Sequence, residues 1–230
     1  MTEKINPTLK EVMDTLNDLA DPSYLEKQKH FGIVTTSSLG LRQPQIKMVA
    51  KQIGKNHTTA LQLWETGILE ARHLATLLAD KKQVTPALME KWLKDFNSWD
   101  IVDGCISNLF CRTPYAYEKA FEWSKLKPEF EKRAGFSMIA YLAVHDKKAS
   151  DELMLQFFPV LIRESTDERN FVRKAVNWAL RSIGKRNTEL CKASIKLSEQ
   201  LKQSPNKTAR WIGSDALREL NEKMENGYFD

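Results

Sequence analysis

The sequence predicts an all-α fold, a single curved α-solenoid built from antiparallel helix pairs. From residue 40 onward, apolar residues recur at three- and four-residue spacing, and the alternation that marks strands is hard to find. Helix start and stop signals punctuate the chain at regular intervals. The helices pair into units near residues 85–112, 113–147, 149–185 and 187–225, a period of roughly 30–40 residues that suits helical repeats. The units do not align with one another, so the repeat is structural rather than one of sequence. A four-helix bundle with extra helices is the competing arrangement, but short connections between antiparallel neighbours favour the solenoid. Residues 1–230 therefore read as one helical-repeat domain, with residues 1–30 a candidate peripheral N-terminal helix.

The elements follow from local chemistry. Pro44 precedes a helix through Ile46, Val49 and Ile53, which stops near Gly54-Lys55-Asn56. Thr58 is the expected cap of a short helix, and Gly67 separates it from Ile68 to Leu78. Thr85-Pro86 pairs an N-cap with proline at the first helical position and opens Ala87 to Phe96. Ser98 is placed to cap the helix bearing Trp99 and Asp103, Thr113-Pro114 opens the next, and Lys127-Pro128 another. Ser150 starts a helix expected over Asp151 to Arg163. Thr166-Asp167 precedes one that runs to Gly184, a suitable C-terminal glycine. The last two follow Asn187-Thr188 and Ser204-Pro205-Asn206.

With 42% hydrophobic and 28% charged residues, the chain of 230 has the composition of an ordinary globular protein. Its net charge of +5 suits a polyanionic partner without requiring one. Cys105, Cys111 and Cys191 are few, odd in number and without a CxxC pair, which fits a reducing compartment. The opening Met1-Thr2-Glu3-Lys4 has no apolar signal stretch, and no run approaches the length of a bilayer span. A soluble cytoplasmic protein is expected, nucleoid-associated if bacterial, with no membrane partner.

Three stretches carry candidate chemistry. In the helix ending at Gly184, Val172, Ala175, Val176, Ala179, Leu180 and Ile183 form one apolar face. Trp178 lies opposite, with Lys174, Arg181 and Lys185. Either a neighbouring element covers this indole, or the ring packs on a sugar or base while the cations meet phosphates. Trp99 and Asp103 lie four residues apart along the edge of a core stripe of Val102, Cys105, Ile106 and Leu109. That pair can line a groove, or the acid can simply cap or bridge near a helix start. Arg133 shares a face with Ser137 and Ala140, small residues that leave room for a bulky group to approach a phosphate-binding guanidinium. A salt bridge between repeats is the alternative.

Other chemistry finds no support. His30, His57, His73 and His145 lack metal-ligand spacing, and no HExxH, nucleotide-binding glycine loop or nucleophile triad signature occurs. Neither a metal nor a cofactor is expected. Trp64, Trp92, Trp123 and Trp211 read as structural, without an ionic setting like that of Trp178.

Four stretches resemble the AlkD-type DNA alkylation-repair glycosylases. They are Ser-Trp-Asp-Ile-Val-Asp at 98–103, Lys-Arg-Ala-Gly-Phe at 132–136, Asp-Glu-Arg-Asn-Phe-Val-Arg-Lys-Ala-Val-Asn-Trp-Ala-Leu-Arg at 167–181 and Ala-Arg-Trp-Ile-Gly-Ser-Asp-Ala-Leu-Arg-Glu-Leu at 209–220. Gly40-Leu41-Arg42-Gln43-Pro44 is similar to that family's early helix entry, and the likeness spans residues 30–225. It implies a solenoid of HEAT-like repeats that cradles duplex DNA and removes cationic N3- or N7-alkylated purines, as a monomer. By position it implies Asp103 as the catalytic carboxylate, Trp99 and Trp178 as the groove tryptophans, and Arg133 as a DNA contact. Lys174, Arg181 and Lys185 are expected to meet the phosphate backbone. The family is expected to work from the backbone side, without a deep pocket for a flipped base. A non-catalytic DNA-binding solenoid and a protein-interaction scaffold are the alternative uses of such a fold.

Overall fold

The structure is a computed structural model that describes residues 7–229. All regular elements among the described residues are helical. The chain forms two compact units, Met1–Thr113 and Pro114–Asp230, and each is described by itself.

The first unit holds α1 (Leu9–Asp18), α2 (Leu25–His30), α3 (Gln43–Ile53), α4 (His57–Glu65), α5 (Leu69–Leu78), α6 (Pro86–Leu93) and α7 (Trp99–Asn108). Helix α1 starts with a capping box between Thr8 and Glu11 and buries Val12 and Leu16. Gly54, at φ +76°, ends α3 in a conformation that suits glycine. The chain re-enters a helix at Asn56, whose side chain accepts the Thr59 N–H. The cap is thus Asn56, where the sequence pointed to Thr58. Thr85 caps α6 as expected, but that helix ends at Leu93, short of Phe96.

The turn before α3 is tied down by one carboxylate. Glu70, 1% exposed, accepts the backbone N–H groups of Leu39, Gly40 and Leu41 and the Ser38 hydroxyl. Four donors compensate the burial of that charge. Beneath lies the tryptophan core, in which Trp64 and Trp92 stack with centroids 3.9 Å apart. The Trp64 indole donates to Asp95 at 2.7 Å. Helix α5 packs on α3, α4 and α7, so α7 is mounted on the buried middle of this unit.

The second unit holds α8 (Ala116–Trp123), α9 (Glu129–His145), α10 (Asp151–Leu155), α11 (Phe158–Glu164), α12 (Asn170–Gly184), α13 (Thr188–Lys202) and α14 (Lys207–Glu225). The helix expected over Asp151 to Arg163 is two helices. Pro159, in the first turn of α11, has no N–H to return to the Leu155 carbonyl, and the chain turns at Gln156-Phe157. Helix α9 packs on α8 and α12, and α14 packs on α12 and α13. Gly135 permits the first contact, because a Cβ there would stand 2.4 Å from the Ser124 backbone nitrogen. The predicted apolar face of α12 is buried throughout. Helices α8 with α9 and α13 with α14 pack as the pairs the sequence anticipates, whereas residues 149–185 hold three helices.

Candidate functional site

Helix α7 buries Ile101, Val102, Cys105 and Ile106 and leaves Trp99 and Asp103 partly exposed. One turn separates the two, so ring and carboxylate share an edge of the helix. Ser98 occupies the N-cap position, yet its buried hydroxyl makes no cap bond and has no partner. The Trp99 indole N–H donates to the Phe31 carbonyl at 2.8 Å. This fixes the ring against the segment after α2 and leaves its face as the surface on offer.

His73 on α5 stabilises the same helix. Its Nε2 lies 2.7 Å from Asp100 Oδ2, and its ring packs against Gly104. Residues on both sides of Asp103 are thereby held to α5. Sequence reasoning passed over His73 because it lacks metal-ligand spacing. Its partner is 27 residues away, and no local pattern shows such a pair.

In the second unit, Arg133 on α9 is 7% exposed and one guanidinium nitrogen donates to the Phe171 carbonyl at 2.8 Å. Ser137 and Ala140 are fully buried. The small side chains expected to open an approach to Arg133 are instead taken up by close helix packing. Trp178 on α12 is half-buried, with the Tyr141 ring edge-on at 4.9 Å. Part of the indole is covered by α9, and part stays accessible.

The cations around Trp178 divide. Lys174 is exposed. Arg181 and Lys185 converge on Glu219 of α14, Lys185 at 2.8 Å. Burial pushes the Glu219 carboxyl up, but hydrogen bonds from Lys185 and Arg181 outweigh it and hold the group below its ordinary range. These two cations therefore carry a built-in counter-charge that their spacing along α12 did not reveal.

Two tryptophans set aside by the sequence do have ionic settings. Trp64 carries the Arg72 guanidinium 5.3 Å from its ring, within the core. Trp211 on α14 is 37% exposed, with the Arg173 guanidinium 5.1 Å from its ring. The pairing joins residues on two packed helices, so the sequence carried no signal for it. Trp99 and Asp103 belong to the first unit; Arg133, Lys174, Trp178, Arg181 and Lys185 belong to the second. Among the described residues no group of three His, Cys, Asp or Glu side chains is placed to hold a metal ion. No described helix is long and apolar enough to cross a membrane.

A solved structure described as "a new family of proteins related to the HEAT-like repeat DNA glycosylases with affinity for branched DNA structures" has a TM-score of 0.81 at 17% identity, covering 96% of this chain and 95% of that one. A designed armadillo repeat protein covers 93% of this chain and 100% of its own at a TM-score of 0.43 and 16% identity. The search of curated proteins gave no match. The first likeness shows the fold, an α-solenoid related to HEAT-like repeats. The family model described as DNA alkylation repair enzyme matches residues 12–224, nearly the whole length, and the chain belongs to that family.

Proposed function

We propose that the protein is a monofunctional DNA glycosylase, acting without a cofactor as a monomer, that hydrolyses the N-glycosidic bond of cationic N3- or N7-alkylated purines in duplex DNA. The observation that carries this reading is the pairing of Asp103 with Trp99 on α7, both partly exposed and one turn apart. An alkylated purine already bears positive charge and leaves without being protonated. What the reaction lacks is stabilisation of the positive charge that builds on the deoxyribose. The Asp103 carboxylate supplies it, as a fixed group whose attraction grows toward the transition state, and it orients the attacking water. In the first unit Trp99 offers a ring face to the sugar; in the second, Trp178 is a further aromatic contact for DNA and Lys174 meets phosphate, with Arg133 bracing the helix that carries them.

Release of free base from duplex DNA containing N7-methylguanine tests the assignment. Wild-type protein is expected to release base, with Asp103→Asn slower by about 10²–10³-fold, the usual worth of one electrostatic catalytic group. Equal release by the two proteins defeats it.

A second reading draws on the structural neighbour, which is described as having affinity for branched DNA. Here the protein binds junctions without breaking a glycosidic bond. Tighter, salt-dependent binding to a four-way junction than to a linear duplex, with no base released, favours it.

A further inference from the structure

Helices α12 and α14 meet along a polar seam of three rungs, each joining residues 38 positions apart in the chain. Arg181 meets Glu219, Asn177 donates to Asp215 at 2.7 Å, and the Arg173 guanidinium lies 5.1 Å from the Trp211 ring. The rungs follow one another at four-residue steps on both helices, as a face that recurs every turn requires. At two of them α14 supplies a carboxylate. At the third it supplies an indole, and the cation opposite has no counter-charge. No carboxylate among the described residues lies within ion-pair distance of Arg173. Its Nε is buried without a hydrogen-bond partner, and its bond to Asn170 Oδ1 is long, at 3.4 Å. The indole attracts the guanidinium but does not neutralise it.

Trp211 also belongs to a basic face. Lys207, Arg210, Ser214 and Arg218 lie within two turns of it on α14 and are exposed, as is the ring itself. Arg218 is paired with Asp215 at 2.6 Å. Arg210 donates to the Ser204 and Pro205 carbonyls, which hold its fork without cancelling its charge. Lys207 stands 3.7 Å from Glu168 with both side chains largely in water, a pair that contributes little. Arg173, Lys207 and Arg210 therefore keep most of their field around one exposed ring. A duplex keeps its base faces stacked and out of reach of such a ring. A single strand offers bases to the aromatic side chain and phosphates to the cations beside it.

We propose that the Arg173–Trp211 rung is a platform for single-stranded nucleic acid, on which Trp211 stacks with an unpaired base while Arg173, Lys207 and Arg210 hold the flanking phosphates. The platform is tolerant of sequence, because every base has a face to stack. It is separate from the glycosylase reading, which concerns a modified base within a duplex. It is separate too from Arg181 and Lys185, which Glu219 claims.

Fluorescence anisotropy on the full chain tests it, with a labelled deoxyuridine strand of about 12 nucleotides and an abasic strand of the same length. Wild-type protein is expected to bind the strand with bases about tenfold more tightly, the worth of one base stacked on an aromatic ring. Trp211→Ala is expected to abolish that difference, and Trp211→Phe, which keeps a ring, to retain most of it. Arg173→Gln should weaken both strands alike and lower the salt slope by about 0.7, the value for one phosphate on a single strand. Each protein is compared with itself on two strands, so a variant that folds less well lowers both affinities and does not imitate the loss. The ribose form of the strand tells RNA from DNA, and a preference for either one is compatible with stacking on Trp211. Equal binding of the two strands by the wild type overturns the proposal, as does a preference that Trp211→Ala leaves intact. Competition by polyglutamate as effective as by the strand makes the face a dock for acidic protein and overturns it equally.

Discussion

The ring of His73 fills the space that a side chain at Gly104 would need. A Cβ built on Gly104 stands 2.7 Å from both Nδ1 and Cε1 of that ring. Because His73 also holds Asp100 at 2.7 Å, α7 is fastened to α5 on either side of Asp103. Gly104→Ala must displace either the ring or the helix, since the added carbon would stand 2.7 Å from two atoms of a ring that Asp100 holds in place. Overpacking of this kind costs about 1–3 kcal/mol, measurable as a lowered midpoint in urea. Base release is expected to fall in the same variant even at temperatures where it stays folded. Unchanged stability would mean the two helices are not locked at this contact.

The Trp99 indole gives a second measurement. Trp99→Phe keeps a ring and removes the N–H that donates to the Phe31 carbonyl at 2.8 Å. The expected loss is about 1 kcal/mol, the net worth of one hydrogen bond in a partly exposed place. Hydrogen exchange should quicken in residues 31–37, which lose their tether. It should not quicken at Leu39, Gly40 and Leu41, whose N–H groups are held by Glu70. Uniform quickening across both stretches would show that Glu70 does not anchor the turn independently.

What the sequence disclosed was local. Gly54 and Gly67 at positive φ, proline at the start of α6 and the apolar face of α12 are signals within one or two turns of chain. Helix order followed from them, and so did the pairing of α8 with α9 and of α13 with α14. The break at Gln156-Phe157 had a local sign in Pro159, outweighed by the apolar periodicity on either side. The site divided along the same line. Trp99 and Asp103 were legible because their spacing is one helical turn. The state of Arg133, Arg181 and Lys185 was not, because each partner lies 34–38 residues away. Charge on a helix face shows where cations stand but not which tertiary carboxylate has already claimed them.

Acid titration should expose those claimed charges. At Asp167, as at Glu219, burial raises the carboxyl but hydrogen bonds, here from Arg169, outweigh it, and both groups lie below their ordinary values of 3.8 and 4.5. A depressed folded-state pKa gives stability that is fully present above the unfolded value and lost as pH falls through the folded one. Stability should therefore hold down to about pH 4.5 and then decline. The glutamine variant Glu219→Gln should show a shallower decline in pH-dependent thermal unfolding. An identical slope in the two proteins would separate Glu219 from the acid transition.

Glu219→Gln also decides whether the α12 cations serve DNA. In the wild type, the Glu219 carboxylate neutralises part of the field of Arg181 and Lys185. Replacing it leaves both cations in place with no counter-charge, so duplex affinity should rise and its salt dependence should steepen by about one to two counterions. Lys174→Ala should act in the opposite sense, weakening binding across sequences and reducing the salt slope by about one. If affinity is indifferent to Glu219→Gln but falls with Lys174→Ala, DNA meets α12 at its exposed lysine, and Arg181 and Lys185 serve to fasten α12 to α14. If neither variant changes binding, the charged face of α12 is not a DNA contact, and Trp178 loses its place as a proposed one.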